Sequence, residues 1–177
     1  YENFHIDLEK GTDTITIHNN RVPAHRNFTI TFDASKYSEA ERKQLFIARL
    51  DKKLRPNYAS TYKRGKTFTT RTRNLGTYTL VKDTIPPKIR TKNFKHKQWL
   101  NNYRYLSLLI SDDLSGIDTY SATLNGEWIL MEYEPKTKTL TYNFDDKILN
   151  QKQCELKVIV KDNVGNTSKY EVSFFRK

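Results

Sequence analysis

The 177 residues suit one large domain or two small ones, and 36% hydrophobic with 29% charged residues supplies compact cores rather than a disordered chain. No apolar run approaches the roughly 20 residues a helical membrane span needs. The net charge of +11 divides unevenly, with 16 Lys and Arg against 9 Asp and Glu up to residue 85 (+7) and 15 against 11 thereafter (+4).

Residues 4–8 and 14–18 alternate apolar and polar with period two, and Lys10-Gly11-Thr12-Asp13 between them reads as a hairpin turn. Phe28, Ile30 and Phe32 share one face of a third strand. Ser38 and Glu41 then form a capping box, opening a helix of one or two turns that ends near Gln44. Strands are expected at 45–51, 67–72 and 77–82, which gives this first unit about six strands and one short helix.

Lys82-Asp83-Thr84-Ile85-Pro86-Pro87-Lys88-Ile89 interrupts the pattern. Pro86 and Pro87 remove two backbone donors and hold φ near −65°, so the segment suits a stiff, extended joint and neither a central strand nor a helix. The second unit opens with a strand candidate at 88–94. Leu106, Leu108 and Ile110 then alternate inward. Asn125-Gly126, between strands at 120–124 and 127–133, is a strong hairpin signal because a type I′ turn requires positive φ twice. Leu140, Tyr142 and Phe144 share a face, as do Leu156, Val158 and Val160, and a strand over 169–175 closes the unit. Seven short strands punctuated by turns predict an immunoglobulin-like sandwich. The expected fold is all-β: two tandem immunoglobulin-like antiparallel β-sandwich domains, residues 1–84 and 85–177, joined by a short Pro-Pro linker.

The residues that could carry chemistry are few. His5, His18, His25 and His96 form no H-E-x-x-H, H-x-H or H-x-x-x-D motif, and the nucleophile-elbow and phosphate-loop signatures are missing. Cys154 is alone, which rules out an intramolecular disulfide and suits a small packing residue in a strand. The expectation is a non-catalytic fragment without a cofactor. Asp112, Asp113 and Asp118 fall within seven residues and could offer oxygens to calcium. Turn chemistry is the favoured reading of that loop and of the Asp162-to-Asn166 loop, with Gly116 and Gly165 supplying positive φ and Asp162 and Asn166 bonding nearby backbone. Trp99, Tyr103, Tyr105 and Trp128 could make a flat apolar platform for a sugar ring, although large aromatics more often fill a core. Arg49, Lys52, Lys53, Arg55, Lys63, Arg64, Lys66, Arg71 and Arg73 form the densest basic stretch, read as a solvated face in preference to a dedicated anion site. Interleaving of Tyr58, Tyr62 and Phe68 with those bases falls short of a nucleic-acid signature, so no nucleic-acid partner is expected.

Asn74-Leu75-Gly76-Thr77-Tyr78-Thr79-Leu80 running into Asp83-Thr84-Ile85-Pro86-Pro87, then 111–117, Asn125-Gly126-Glu127-Trp128 and 162–166, together resemble the C-terminal region of exported zinc peptidases of the lysostaphin-like, peptidoglycan-cleaving class in Bacteroidetes. The resemblance covers residues 74–177 and is looser before them. It implies an accessory tail that spaces or positions an upstream peptidase domain in the same polypeptide, located in the periplasm or cell envelope, with peptidoglycan or another envelope glycan as partner. The family's zinc motifs are absent, so no catalytic residue carries over. The start at Tyr1-Glu2-Asn3-Phe4 fits a piece of a longer, exported precursor. An adhesin-like or carbohydrate-binding module is the rival expectation.

Overall fold

A computed structural model describes residues 5–9, 11–18, 23–146 and 152–177, and divides the chain into two compact units, Tyr1–Thr84 and Ile85–Lys177. Among the described residues no helix is long and apolar enough to cross a membrane, a statement that leaves β-barrels aside. The molecule is nearly all-β, with antiparallel sheets in an immunoglobulin-like sandwich arrangement.

In the first unit the strands are β1 (Ile6–Leu8), β2 (Thr14–Ile17), β3 (Phe28–Asp33), β4 (Leu45–Leu50), β5 (Pro56–Ala59), β6 (Tyr62–Arg64), β7 (Thr67–Thr72) and β8 (Gly76–Lys82). They form a five-stranded sheet in the order β1-β2-β8-β4-β5 and a three-stranded sheet in the order β3-β7-β6. Alternation decides what they bury. Ile30 and Phe32 of β3 and Phe68 of β7 face Leu45 and Ile47 of β4 and Tyr78 of β8 across the core. Each such side chain contributes about 1.5–3 kcal/mol on full burial, offsetting the ordering of its strand. The helix α1 (Glu39–Gln44) is capped as the sequence predicts: Ser38 Oγ accepts from the Glu41 N–H at 3.3 Å and the Ser38 N–H donates to Glu41 Oε2 at 3.1 Å. The first strand begins at Ile6; Phe4 and the turn residue Lys10 lie outside the described residues. The unit has two more strands than expected, β5 and β6. Both are short and polar, and β6 is exposed along its length, so neither shows the alternation that betrays a half-buried strand.

The second unit contains β9 (Lys88–Thr91), β10 (Tyr105–Ser111), β11 (Ile117–Leu124), β12 (Glu127–Ile129), β13 (Glu132–Glu134), β14 (Thr139–Asn143), β15 (Gln153–Asp162) and β16 (Thr167–Phe175). Two four-stranded sheets result, β13-β14-β10-β9 and β12-β11-β15-β16. Leu106, Leu108 and Ile110 of β10 lie in one core with Leu156, Val158 and Val160 of β15. Phe94, Phe174, Phe144 and Tyr142 extend this core in a chain of edge-to-face rings 5.4–6.2 Å apart. Phe144 sits in a short 3₁₀ turn (Phe144–Asp146) rather than in the strand expected to carry it. The single strand expected over 127–133 is two. β12 pairs with β11, whereas β13 pairs with β14 in the opposite sheet, so the chain changes sheets at Leu130-Met131. Ile129 and Met131 are buried on either side of the exposed Leu130, and this preserves the alternation through the crossing. Periodicity therefore could not reveal the break.

Candidate functional site

The hairpin from β11 to β12 turns on Asn125 (φ 51°) and Gly126 (φ 83°), the left-handed pair a type I′ turn demands. The Asn125 side chain also reaches the neighbouring strand, its Oδ1 accepting from the Glu155 N–H at 2.7 Å. With Ala122, Leu124 and Ile129 turned into the core, alternation puts Thr123 and Trp128 on the outer face. Register then aligns Trp128 with Thr123, Thr123 with Lys157 and Lys157 with Glu171 in one row across the sheet. Trp128 is 67% exposed at one end of that row, and Lys157 Nζ lies 3.1 Å from Glu171 Oε1 at the other. Between them runs a groove of about 360 Å³, bordered by Thr123, Gly126, Glu155, Lys157, Glu171 and Ser173.

Four residues beyond Glu171 along β16, on the same face, stands Phe175, and Trp99 packs on it with ring centres 5.1 Å apart. A parallel bridge sets Trp99 beside Phe175, outside the β16 edge. The segment holding Trp99 is tied down: the Lys97 N–H donates to the Ser173 carbonyl at 2.7 Å, Leu100 N–H to the Phe175 carbonyl at 2.8 Å, and Phe175 N–H to the Gln98 carbonyl at 2.9 Å. Arg176 donates to the carbonyls of Leu100 and Tyr103 and lies over the Phe144 ring. Trp99 remains 48% exposed, with Lys152 Nζ 5.7 Å from its ring centre. The outer face thus presents two aromatic surfaces at opposite edges, three strand spacings (about 14 Å) apart across the sheet and four residues (about 13 Å) apart along it. Between them lie a charged pair, a carboxylate and two hydroxyls.

Tyr103 is elsewhere. It is half-buried against the core and its hydroxyl accepts from Gln98 Nε2 at 2.8 Å, supporting the Trp99 segment from beneath. Tyr105 belongs to the other sheet, beside the Arg104 guanidinium. The polar members of the face, Thr123, Lys157, Glu171 and Ser173, were not legible in the sequence. They read there as the solvent side of ordinary strands, and only the strand order joins them to Trp128.

The acidic loops form turns. Asp112 Oδ1 accepts from the Leu114 and Gly116 N–H groups at 3.0 and 2.7 Å. Asp162 Oδ1 accepts from Val164 and Asn166 N–H at 3.0 and 2.8 Å, and its Oδ2 from Asn166 Nδ2 at 2.8 Å. Gly116 and Gly165 adopt φ of 80° and 99° in these turns. Asp113 is exposed and paired with Lys88 at 2.6 Å, which holds its carboxyl below the usual range. Asp118 is exposed on β11. The structure therefore does not gather Asp112, Asp113 and Asp118 around one point; one oxygen of Asp112 instead lies within 4.8 Å of one from Asp162. In the linker, the Asp83 N–H donates to the Gln44 carbonyl at 2.9 Å, Pro86 lies in irregular chain, and the Pro87 carbonyl accepts from Ser168 Oγ of β16. Cys154 is buried in β15, where burial pushes its thiol above the ordinary value.

The Zu5-like domain family matches residues 1–83, the whole of the first unit but one residue. No curated protein matches the sequence. Among solved structures, the chain is similar to the fibronectin(III)-like modules of Clostridium thermocellum CbhA, at 16% identity over 99% of this chain and 94% of that one, with a TM-score of 0.41. It is similar also to tandem Ig repeats of Dlar (6% identity, 87% and 90% covered, TM-score 0.34). A third likeness is to apo expansin of Clavibacter michiganensis (15% identity, 96% and 87% covered, TM-score 0.37).

Proposed function

We propose that this chain is a non-catalytic accessory module that holds a polysaccharide against the outer face of the sheet β12-β11-β15-β16. The observation that carries this reading is the exposure of Trp128 and of the Trp99–Phe175 stack on a face whose intervening row is polar. Flat aromatic surfaces left exposed beside polar groups are suited to bind a ligand with one apolar and one hydroxylated side. Sugar rings stack their C–H faces on aromatic surfaces while their hydroxyls exchange hydrogen bonds with groups such as Thr123, Ser173 and Glu171.

The narrower form of the proposal takes the polymer to be peptidoglycan and the chain to be the tail of an exported cell-wall zinc peptidase, spacing or positioning its catalytic domain. It is supported by the motif resemblance over residues 74–177. A reading frame containing an H-x-x-x-D and H-x-H domain before Tyr1 would bear it out, whereas a run of repeated sandwiches there would favour an adhesin-like module. The binding itself is tested by co-sedimentation with purified peptidoglycan. The wild-type chain is expected in the pellet, and Trp128→Ala should weaken binding about tenfold, the scale of one lost stacking contact. Recovery of all the wild-type protein in the supernatant would end the proposal.

A further inference from the structure

The first unit carries an arginine where a core residue belongs. Along β4, Leu45 and Ile47 point into the core, and Arg49 is the next residue on that face. Register confirms the side: Arg49 stands opposite the core residue Tyr78 on β8 and opposite Asn57 on β5. A guanidinium on the inner face of a sandwich is expensive unless a counter-charge or water reaches it. Here the sandwich opens at that end into a cleft of about 520 Å³, within the range of small-ligand sites. Tyr78 and Thr70, each 1% exposed, belong to its lining, together with Asn57, Thr72 and Asn74, and exposed Arg71 stands at the rim.

The charges in this cleft do not cancel. Asp51, its only acidic lining residue among the described ones, is taken: Arg55 reaches it with Nε and an NH2 nitrogen, each at 2.7 Å, and the Lys53 and Arg55 N–H groups bond its other oxygen. These contacts hold its carboxyl below the usual aspartate range, so it stays charged and committed to Arg55. Arg49 and Arg71 have no carboxylate partner among the described residues. The site is therefore the Arg49 guanidinium, unpaired among the described residues, beside neutral amides and hydroxyls, with Arg71 on the outward side of β7 at the rim. A nucleic acid fits it poorly, since the cleft offers no open ring for a base: Tyr58, its one other aromatic, is half-buried with its ring 5.6 Å from Phe46.

We infer that this cleft binds a carboxylated saccharide, with the sugar acid's carboxylate on the Arg49 fork, Arg71 adding long-range attraction, and the ring hydroxyls on Asn57, Asn74 and neighbouring hydroxyls. The guanidinium is suited to this because it grips a carboxylate through two parallel hydrogen bonds. This is a second site, on a different unit from the aromatic face, and it stands or falls separately.

The test is titration calorimetry on the full chain with tetragalacturonate and with a glucuronate tetramer, using the fully methyl-esterified tetragalacturonate as uncharged control. At least one acidic tetramer is expected to bind, the ester not to bind, and Arg49→Gln to weaken binding about tenfold or more, the worth of a charge-assisted hydrogen bond. Arg71→Gln, an exposed substitution that leaves the fold alone, should weaken it less and flatten its salt dependence. Trp128→Ala should bind the acidic tetramer as the wild type does, which separates this site from the peptidoglycan face. No binding of either acid, equal binding of the ester, or unchanged affinity in Arg49→Gln would overturn the inference. So would a ten-nucleotide poly-dT strand binding more tightly than the sugar acids.

Discussion

Tyr78 and Tyr142 are equally buried, each 1% exposed, yet their hydroxyls end differently. Tyr78 donates to the Asn74 carbonyl at 2.6 Å, four residues upstream, and lies 3.4 Å from Thr72 Oγ1. This arrangement, a buried tyrosine pinning the chain just before its own strand, ties the end of β7 to the start of β8. The Tyr142 hydroxyl has no hydrogen-bond partner among the described residues, and burial raises its ionisation above the ordinary tyrosine value. The same substitution should then act in opposite senses. Tyr78→Phe leaves a carbonyl short of its donor and should cost about 1–2 kcal/mol, whereas Tyr142→Phe removes a polar atom that gains nothing by burial and should be neutral or stabilising. Urea unfolding of the two variants checks both, and a destabilised Tyr142→Phe would mean that its hydroxyl is satisfied. Both tyrosines are visible in the sequence as members of alternating strands, but which one finds an acceptor depends on loop geometry that no period encodes.

At the scale of elements, legibility followed local chemistry. The Ser38–Glu41 box and the Asn125-Gly126 turn were readable because each is specified within four residues, by a side chain that must accept or a φ that must be positive. The division of 127–133 between two sheets was not readable, since Ile129 and Met131 remain inward throughout and the change of partner is set by the distant strands β11 and β14. Nor was the aromatic face, whose members come from β11, β12, β15, β16 and the Trp99 segment. The capping box also makes a pH prediction. Hydrogen bonds from the Ser38 backbone and hydroxyl, then Lys82 at 3.4 Å, hold the Glu41 carboxyl below its ordinary value of 4.5. A carboxyl whose folded value is depressed stabilises the fold above its unfolded value and loses that contribution as pH falls through the folded one. The melting temperature of the wild type should therefore exceed that of Glu41→Gln by a constant margin near neutrality. That margin should shrink as pH drops below 4.5. Ser38→Ala should cost about 1 kcal/mol by removing the cap itself. A margin that stayed level into acid would show that the box contributes nothing through its charge.

For the whole molecule, what matters is that each unit has its own buried cluster: one centred on Ile30, Phe32, Ile47, Phe68 and Tyr78, the other on Leu106, Leu108, Ile110, Leu156 and Val158. The second cluster draws on both of its sheets, and the chain's last strand, β16, pairs along its full length with β15, from Gln153↔Phe175 to Lys161↔Thr167. Arg176, the residue after β16, then locks the adjacent Leu100–Tyr103 turn through both of its end carbonyls. All elements of the aromatic face are thus held by contacts inside residues 85–177. A domain of this size buries enough apolar surface to fold cooperatively, though with a margin of only several kcal/mol. Residues 85–177 expressed alone should give a single cooperative unfolding transition and should still sediment with peptidoglycan, with Trp128→Ala weakening them as in the full chain. They should show no affinity for the acidic tetramers, whose proposed arginines lie in the other unit. If the isolated unit folded but lost peptidoglycan while residues 1–84 retained it, the aromatic face would be ornament and the arginine cleft the principal site.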